Sequence, residues 1–565
     1  MSKGNIVIVE GISTGYNFIE DIIKRGYEPV VLETRFADPE AEKFFAAYRK
    51  RCYGMYPREV TIIPAGATYE DDLEAVRKYD PVLILAGEEH GVDRATRLAD
   101  DLGLPGNPYS DIDKFTMKSA MHQALADNGV RSIRGKLVSS LEEAEEYVRS
   151  LGHENVVVKP TVGAGSQGLK LCSSMEEMCE GVERILGESN YFGDRNSVAL
   201  VQERIFGKEY IVNTISRRGK HKVISIWTYE RVQTAEGGSV YDHVESVNEL
   251  GPGHTELIEY VYKTLDAIGI KDGPVHGEYM IDSSGPVLME VNCRPMGLAM
   301  PAEYLDLVTG QHETDTILDA MLDEDNFMKH LHDPYRMLRK GIIKMFIAPK
   351  DVLVTAQPVQ VLLRHMSSVY KTVIPEMNVF YLLKKSEDME GNAGVVFMVH
   401  DDPDATIRDA AFLHKLENEY FRILYHGTGR KQTPLKADCM SIGEVMEMME
   451  CKGSTLIVSD DAAEPESAAT YVRPEKLGEA LSGFNQVILD LPEYGSGREV
   501  EESVESMFAA MGKVKAGGRL IVPERFYQKI PYGRSMIEAL MQIGGFSVLA
   551  PSCDAHDVVC GRREV

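Results

Sequence analysis

A glycine-rich loop between two strand-like segments most constrains what this chain can fold into. Residues 163–168 carry a Gly-x-Gly-x-x-Gly pattern directly after an apolar run at residues 155–159. In a dinucleotide-binding fold the same pattern must open a helix, because the pyrophosphate sits on the helix N-terminus. Here residues 169–172 read as a second strand instead. The pattern therefore predicts a strand–loop–strand hairpin and excludes the dinucleotide fingerprint.

The predicted flap, residues 160–169, is suited to binding phosphate. Its glycines allow backbone amides to approach an anion closely, and Lys159 on the incoming strand adds a charged donor. The next helix begins only later, at a capping box formed by Ser174 and Glu177. We therefore expect this hairpin to close over the phosphates of ATP.

Composition limits the class of protein. The 565 residues suffice for about three or four domains, and 44% hydrophobic with 26% charged residues is ordinary for a globular chain. The formal net charge of −27 argues against a nucleic acid or an anionic membrane as partner, because both would repel the chain. Small molecules are the partners that we expect.

Targeting and metal-site signals are missing from the sequence. The N-terminus has no signal-peptide pattern, and no apolar run is long enough to span a bilayer. The eight cysteines are scattered without metal-ligand spacing, so neither a zinc site nor a disulfide framework is predicted. We expect a cytoplasmic protein.

Strand and helix patterns divide the chain into three α/β parts. Residues 1–110 alternate short strands and helices, as βαβ units do. Residues 111–428 contain a helix from Asp113 to about Asn128, the glycine hairpin, and a polar stretch at 228–248 that we interpret as a loop or flap. Residues 431–565 read as a smaller, separate α/β domain.

A carboxylate cluster is predicted on a hairpin that turns at residues 282–285. Adjacent strands bring Glu278 and Glu290 close on one face, and Asn292 points to the same face as Glu290. Two carboxylates and an amide oxygen are hard ligands that suit Mg²⁺ bound with nucleotide phosphates. Arg294 continues the alternation and offers a planar fork to an anion. A solvated acidic strand face is the plainer interpretation of the same residues.

The order of these elements resembles the ATP-grasp superfamily from residue 1 to about residue 425. Each motif is weak alone, but all occur in the family's order. These motifs are the Asp113-Lys114 pair, Val-Val-Lys-Pro with the glycine flap at 156–168, Gln-Glu-x-x-x-Gly-x-Glu at 202–209, and His-x-Glu followed by Glu-x-Asn-x-Arg-Pro at 276–295.

The resemblance implies an α/β fold in which an ATP-grasp domain follows a Rossmann-like domain and precedes a small Rossmann-like C-terminal domain. It also implies roles for matched residues: phosphate binding by the lysines, adenine and ribose contacts, metal binding, and stabilisation of an acyl phosphate. The implied nucleotide-binding residues are Lys114, Lys159, Gly163, Gly165, Ser166, Gly168, Glu203, Ile205 and Glu209; the metal ligands are Glu278, Glu290 and Asn292; the catalytic residues are Lys159, Arg294 and His276.

The chemistry implied by the resemblance is ATP-dependent activation of a carboxylate followed by attack of an amine. ATP and Mg²⁺ are the implied cofactors, with Mn²⁺ as an alternative ion, and a homodimer is common among relatives. Within the superfamily, residues 227–229, 240–242 and 294–297 look most like amino-acid ligases that make dipeptides and related amides. His276 is the sharpest residue of that narrower match, although a histidine at a strand start is at least as often structural.

Two other hypotheses keep the same fold. In one, the acyl phosphate is retained but the acceptor changes, as in biotin carboxylation or purine-pathway ligases. In the other, the chain is a nucleotide-binding regulatory protein without turnover, which predicts the loss of a lysine or a metal carboxylate. No such residue is missing from the sequence.

The tail, residues 431–565, weakly resembles the C-terminal half of a class I methyltransferase. The resemblance rests on residues 487–492, 514–522 and 557–560. The glycine loop that such enzymes need after the first strand is absent, because residues 456–462 offer acidic side chains there. We interpret the tail as a degenerate accessory domain.

Overall fold

The computed structural model describes residues 2–36, 38–160, 169–188, 196–233, 239–349 and 393–426, with shorter segments between 352 and 386 and between 455 and 563. Contacts between residues divide the chain into two compact units. The first comprises Met1–Met345, Glu387–Glu390 and Val399–Pro403, and the second comprises the remainder. Four predicted flap residues lie outside the described residues: Gly163, Gly165, Ser166 and Gly168.

The first unit begins with a parallel sheet in the order β3-β2-β1-β4. Ile6 and Ile8 pack on one side of this sheet and Val7 and Val9 on the other, which is the burial that a sheet covered by helices requires. The predicted α/β block is therefore present. Its elements are β1 (Asn5–Val9), α1 (Asn17–Lys24), β2 (Glu28–Leu32), α2 (Pro39–Tyr53), β3 (Thr61–Ile63), α3 (Tyr69–Arg77), β4 (Pro81–Ala86) and α4 (Val92–Asp101).

An antiparallel sheet in the order β5-β8-β6-β7 follows, covered by two helices. Both helices begin where the sequence predicts: Ser140 and Ser174 are the N-caps and accept hydrogen bonds from the backbone amides of Glu143 and Glu177. Lys159 is the last residue of β6. The elements are β5 (Gly135–Val138), α7 (Leu141–Leu151), β6 (Val156–Lys159), β7 (Lys170–Cys172), α8 (Met175–Gly187) and β8 (Ala199–Glu203).

The helix predicted from Asp113 is divided in two. The structure has α5 (Ile112–Thr116) and α6 (Lys118–Asp127), with Met117 between them in an extended conformation (φ −112°, ψ 114°). Extended backbone at one residue ends the first helix and redirects the second. Lys118 therefore begins a new helix.

A long antiparallel sheet forms the centre of the first unit, with strands in the order β13-β12-β9-β10-β11-β14. The interpretation of residues 228–248 as a loop was largely wrong, because β10 and β11 pair through most of it and Tyr229 and Tyr241 pack together. The elements are β9 (Lys208–Arg217), β10 (Lys220–Gln233), β11 (Ser239–Ser246), α9 (Pro252–Ile268), β12 (Gly273–Asp282), β13 (Gly285–Asn292), α10 (Ala302–Thr309), α11 (Glu313–Leu322), α12 (Glu324–Lys329) and β14 (Lys340–Met345).

The second unit is described in part. Its C-terminal sheet has the order β20-β19-β21-β22-β24-β23, in which β24 runs antiparallel to both of its neighbours. Among the described residues, none of the helices has the length and apolar character needed to cross a membrane. The remaining elements are β15 (Val352–Val354), β16 (Val369–Val373), β17 (Tyr381–Leu383), β18 (Val395–His400), α13 (Pro403–His426), β19 (Thr455–Ser459), β20 (Ala469–Val472), β21 (Phe484–Asp490), β22 (Val514–Pro523), β23 (Phe546–Val548) and β24 (Val558–Arg563).

His312 links the parallel sheet's α1 to the segment after α10. Its Nε2 lies 2.9 Å from Oδ2 of Asp21, and its Nδ1 lies 2.8 Å from Oδ1 of Asp306. Burial opposes the charged imidazole, but the hydrogen bonds to Asp21 and Asp306 raise the pKa of His312 to about 9. An imidazolium can donate to both carboxylates at once, whereas the neutral ring has a single N–H.

This linkage predicts that the protein loses stability as the pH rises. The folded-state pKa of His312 is raised to about 9, above the ordinary 6.5, so its contribution is complete below pH 6.5 and disappears as the pH passes about 9. The contribution should be on the order of 2 kcal/mol. Thermal unfolding of the chain and of His312→Gln between pH 6 and pH 10 measures it. A Tm difference that does not shrink toward pH 10 would contradict the assignment.

Candidate active site

Two carboxylates lie side by side on β12 and β13. Glu278 and Glu290 are register partners, and His276 and Asn292 are the next partners on the same face, two residues along each strand. The side chains of Glu278 and Glu290 are only 15% and 16% exposed. The structure thus brings together four of the predicted residues.

Lys118, at the start of α6, forms an ion pair with Glu290. Burial opposes the charge of Glu290, but the ammonium groups of Lys118 and then Lys159 lower the pKa of Glu290 to about 2. Burial, and then the charge of Glu290, raise the pKa of Glu278 to about 7. One carboxylate is therefore stably ionised while its neighbour titrates near neutrality.

Lys159, at the end of β6, is 8% exposed, and its side-chain ammonium makes no hydrogen bond or ion pair within the part of the chain that the structure describes. Burial, and then the charge of Lys118, lower the pKa of Lys159 to about 8, while Glu290 and Glu278 act in the opposite direction. A buried ammonium without a direct partner is costly, so an anion brought to it would be bound strongly.

Arg294 lies just beyond β13 and is held by the parallel sheet. Its Nη2 donates to Oε2 of Glu89 (2.9 Å) and its Nη1 donates to the carbonyl of Pro295 (3.0 Å). Its Nε is buried and has no hydrogen-bond partner among the described residues. Glu89 directly follows the loop at the carboxyl end of β4, which is the edge where open α/β sheets bind ligands.

The backbone after Arg294 is strained. Leu298 and Ala299 adopt the left-handed region with φ of 71° and 46°. Thr14, after β1, holds this segment from both ends: its hydroxyl donates to the carbonyl of Gly297 (2.9 Å) and accepts from the amide of Met300 (3.0 Å). Strain of this kind persists where the surroundings over-determine it, as at binding sites.

His276 is oriented by a chain of hydrogen bonds. Trp227 Nε1 donates to Ser225 Oγ (3.1 Å), Asn213 Nδ2 donates to the same oxygen (3.0 Å), and Asn213 Oδ1 therefore accepts from His276 Nδ1 (2.8 Å). Burial, and then the charge of Arg294, lower the pKa of His276 to about 3. The neutral ring presents Nε2 as an acceptor, 3.7 Å from Oε1 of Glu278.

The remaining predicted nucleotide-binding residues already have partners or lie in a loop. Ile205 is in the connection between β8 and β9. Three charged residues make ion pairs outside the cluster: Lys114 with Asp111 at 2.7 Å, Glu203 with Arg134 at 2.7 Å, and Glu209 with Arg231 at 2.6 Å. Lys118 is thus the lysine of α5 and α6 that forms an ion pair with the carboxylate cluster, whereas the predicted Lys114, four residues earlier, does not.

The donor set fits a hard divalent cation and an anionic nucleotide. Glu278 and Glu290 share one paired ammonium, and burial raises the pKa of Glu278, so the cluster has room for further positive charge. Glu278, Glu290 and Asn292 could therefore hold Mg²⁺. Lys159 and Lys118 could meet phosphate oxygens beside it.

Comparison with protein families gives a match at this site. A family model of the ATP-grasp domain matches residues 153–302, which include Lys159 and the paired strands β12 and β13. The chain contains an ATP-grasp domain. The predicted superfamily and the α/β fold with an ATP-grasp domain are confirmed.

Known proteins resemble this chain over about three quarters of its length. Dapdiamide A synthase of Enterobacter agglomerans is 25% identical over 430 residues, covering 75% of this chain and 98% of that protein. An L-amino acid ligase from Bacillus licheniformis superposes with a TM-score of 0.57 at 17% identity, covering 74% of this chain and 98% of that chain. The biotin carboxylase domain of Hydrogenobacter thermophilus 2-oxoglutarate carboxylase, solved with MgADP, has a TM-score of 0.50 at 14% identity and covers 74% and 93%.

The methyltransferase resemblance of the tail is not borne out by these comparisons, which extend over about three-quarters of the ATP-grasp chain. The described strands of the tail confirm only that residues 455–563 include an α/β-type sheet with parallel strands. We assign no methyl-transfer role to it.

Three residues around the site were missed by sequence reasoning. Lys118 carried a partial signal, because it lies four residues after Lys114 in the helix that the sequence predicts, although the structure breaks that helix at Met117. Glu89 and Asn213 carried none. Their partners Arg294 and His276 lie 205 and 63 residues away along the chain.

Lys118 and Lys114, each of which forms an ion pair with a carboxylate, provide a matched test of this geometry. Lys118→Met should cost on the order of 3 kcal/mol, because it leaves buried Glu290 without its ion-pair partner. Lys114→Met removes a more exposed pair with Asp111 and should cost less than about 1 kcal/mol. Thermal unfolding in EDTA measures both, and Mg²⁺ should restore part of the loss in Lys118→Met. Equal losses in the two variants would refute the assignment of Lys118 to the cluster.

Proposed function

We propose that the chain is an ATP-dependent carboxylate–amine ligase that forms an amide through an acyl phosphate, with an amino acid as at least one substrate. The observation that carries this proposal is the cluster of Lys118, Lys159, Glu278 and Glu290 with Arg294 beyond its end. The ATP-grasp domain and the likeness to dapdiamide A synthase and an L-amino acid ligase support the same chemistry.

The two lysines would bind and orient the phosphates. A phosphate oxygen bound to Lys159 would offset the free-energy cost of burying its ammonium. Lys118 would place a second ammonium beside the same phosphates. Both charges would be in place before the γ-phosphoryl group moves, which is the condition for electrostatic stabilisation of the transition state. The flap, residues 160–169, would exclude water from the acyl phosphate before the amine attacks it.

The carboxylates and Asn292 would hold Mg²⁺, and Mn²⁺ is an alternative ion. When bound, the ion neutralises phosphate charge at the reacting oxygens. Glu203, the backbone at Ile205 and Glu209 would meet the adenosine. Because Glu209 is paired with Arg231, and Glu203 with Arg134, nucleotide binding would have to share or replace those ion pairs.

Arg294 would hold the substrate carboxylate while it accepts phosphate. An oxygen of the substrate forms a bond to the γ-phosphorus as the bond to ADP breaks, and the amine nitrogen then attacks the acyl carbon as phosphate leaves. His276 presents neutral Nε2 as a hydrogen-bond acceptor and would help to place the substrate, while the departing phosphate would take the proton that the amine loses. Glu89 keeps Arg294 oriented through both steps.

Other sequence predictions about this ligase stay predictions. They include the domain boundaries at residues 110 and 428, a homodimer, the lack of nucleic-acid and membrane partners, and a cytoplasmic location. The substrates are a small carboxylate and a small amine.

The first test is release of ADP and phosphate from Mg-ATP with single amino acids and with all their pairs, while product masses are recorded. A ligase should release ADP in a pair-dependent way, and its product should be lighter by one water than the two amino acids together. Bicarbonate-dependent release without amide product would favour a carboxylase instead. Tight ATP binding without turnover under every condition would contradict the ligase.

Substitutions at the cluster give a second test. Lys159→Ala and Glu290→Ala should each lower kcat/KM by at least about 10²–10³-fold, because each removes a preorganised charge at the phosphates. Lys136→Ala, an exposed lysine on β5, is the control and should keep full activity. Circular dichroism checks that each variant is folded. Unaltered turnover in either cluster variant would contradict the site.

A further inference from the structure

A small recess lies beside the candidate active site, on the side of His276. It encloses about 20 Å³, room for roughly one water molecule or one group of that size. Side chains from β9, β10 and the segment from Met296 to α11 form its walls. Those used below are Asn213, Ser225, Trp227, Met296, Leu305 and Glu313.

Glu313 provides an unused acceptor in this recess. It is the first residue of α11 and is 7% exposed. Its Oε2 accepts from the amide of Met296 (3.1 Å), but its Oε1 is buried and has no partner among the described residues. A buried carboxylate oxygen without a donor costs stability, and a bound group that donates a hydrogen bond to it would remove that cost.

The recess is connected to the reacting groups through two contacts. Asn213 lines it and also accepts the hydrogen bond from His276. Met296 lines it and lies two residues beyond Arg294, whose charge acts on Glu313. A ligand held by Arg294 would therefore extend toward the recess.

We propose that the recess binds a primary ammonium group of the amino-acid substrate, which donates a hydrogen bond to Glu313 Oε1. An ammonium is about as large as a water and offers only donors, which is what an unpaired carboxylate oxygen needs. Trp227, Leu305 and Met296 contribute apolar surface to the walls, and a charged hydrogen bond is stronger where the surroundings are less polar than water. This inference rests on the proposed ligase and names the group by which it selects its substrate.

The ammonium can be the α-amino group or a side-chain amine, and substrate pairs distinguish the two. Alanine against propionate tests the α-ammonium, and ornithine against norvaline tests a side-chain ammonium. In the unmodified chain the member with the ammonium should have a KM about 10- to 100-fold lower, as expected for a hydrogen bond to a charged group. Equal KM values within both pairs would overturn the proposal without any variant.

Glu313→Gln isolates the charge of the carboxylate. Its amide oxygen can still accept from Met296, so the local structure is kept, while the second oxygen becomes a donor that repels an ammonium. This variant should abolish the preference in one of the two pairs, by raising the KM of the ammonium-bearing member to that of its ammonium-free partner. Glu303→Gln, an exposed carboxylate on α10, is the matched control and should retain the preference.

Two readouts separate this inference from the ligase itself. ADP release reports the reaction, and the rise in Tm on adding each amino acid reports binding alone. Amino-acid-dependent ADP release with identical preferences in the chain and in Glu313→Gln would overturn the recess and leave the ligase intact. A Tm rise that requires Glu313 without any ADP release would support the recess and contradict the ligase. A Tm rise equal in both proteins would overturn the recess.

Discussion

The pairing of β12 with β13 is the constraint on which the site depends. Its register sets Glu278 directly beside Glu290 in a place that water barely reaches, so their repulsion must be offset by cations. Lys118 supplies one of these within the protein. Burial and the charge of Glu290 raise the pKa of Glu278, and among the described residues the ammonium of Lys159 has no direct partner; both features underlie the proposed binding of a metal ion with phosphates.

Residues of the parallel-sheet part hold the segment that follows β13 by hydrogen bonds. Glu89 holds Arg294, Thr14 holds the strained segment after it, and Asp21 holds His312. Glu89 and Thr14 lie in loops at the carboxyl edge of the parallel sheet, and their partners lie just beyond β13. Asp21 lies on α1, and its partner His312 lies after α10. The geometry that would position a substrate carboxylate is therefore a property of two sheets packed together.

The recess and His276 share one support, the side chain of Asn213. Asn213 Nδ2 donates to Ser225 Oγ, which also accepts from Trp227, and to Met296 Sδ, and these contacts turn Asn213 Oδ1 toward Nδ1 of His276. Ser225, Trp227 and Met296 also line the space in front of Glu313. A ligand in that space would thus be coupled to the orientation of the imidazole through two hydrogen bonds.

Local pattern in the sequence determined the pair of strands β12 and β13 with its acidic residues, and the antiparallel pair β6 and β7 with Lys159. It also determined the helix caps at Ser140 and Ser174. Hairpins and caps depend on residues a few positions apart, which is why the sequence alone predicts them. The same reasoning failed at residues 228–248, where polar side chains hid a long strand pair. Only the tertiary structure decided that Lys118 joins Glu290, that Glu89 holds Arg294 and that Oε1 of Glu313 has no partner among the described residues. Those facts depend on burial and on partners up to 205 residues apart, which periodicity along the chain does not encode.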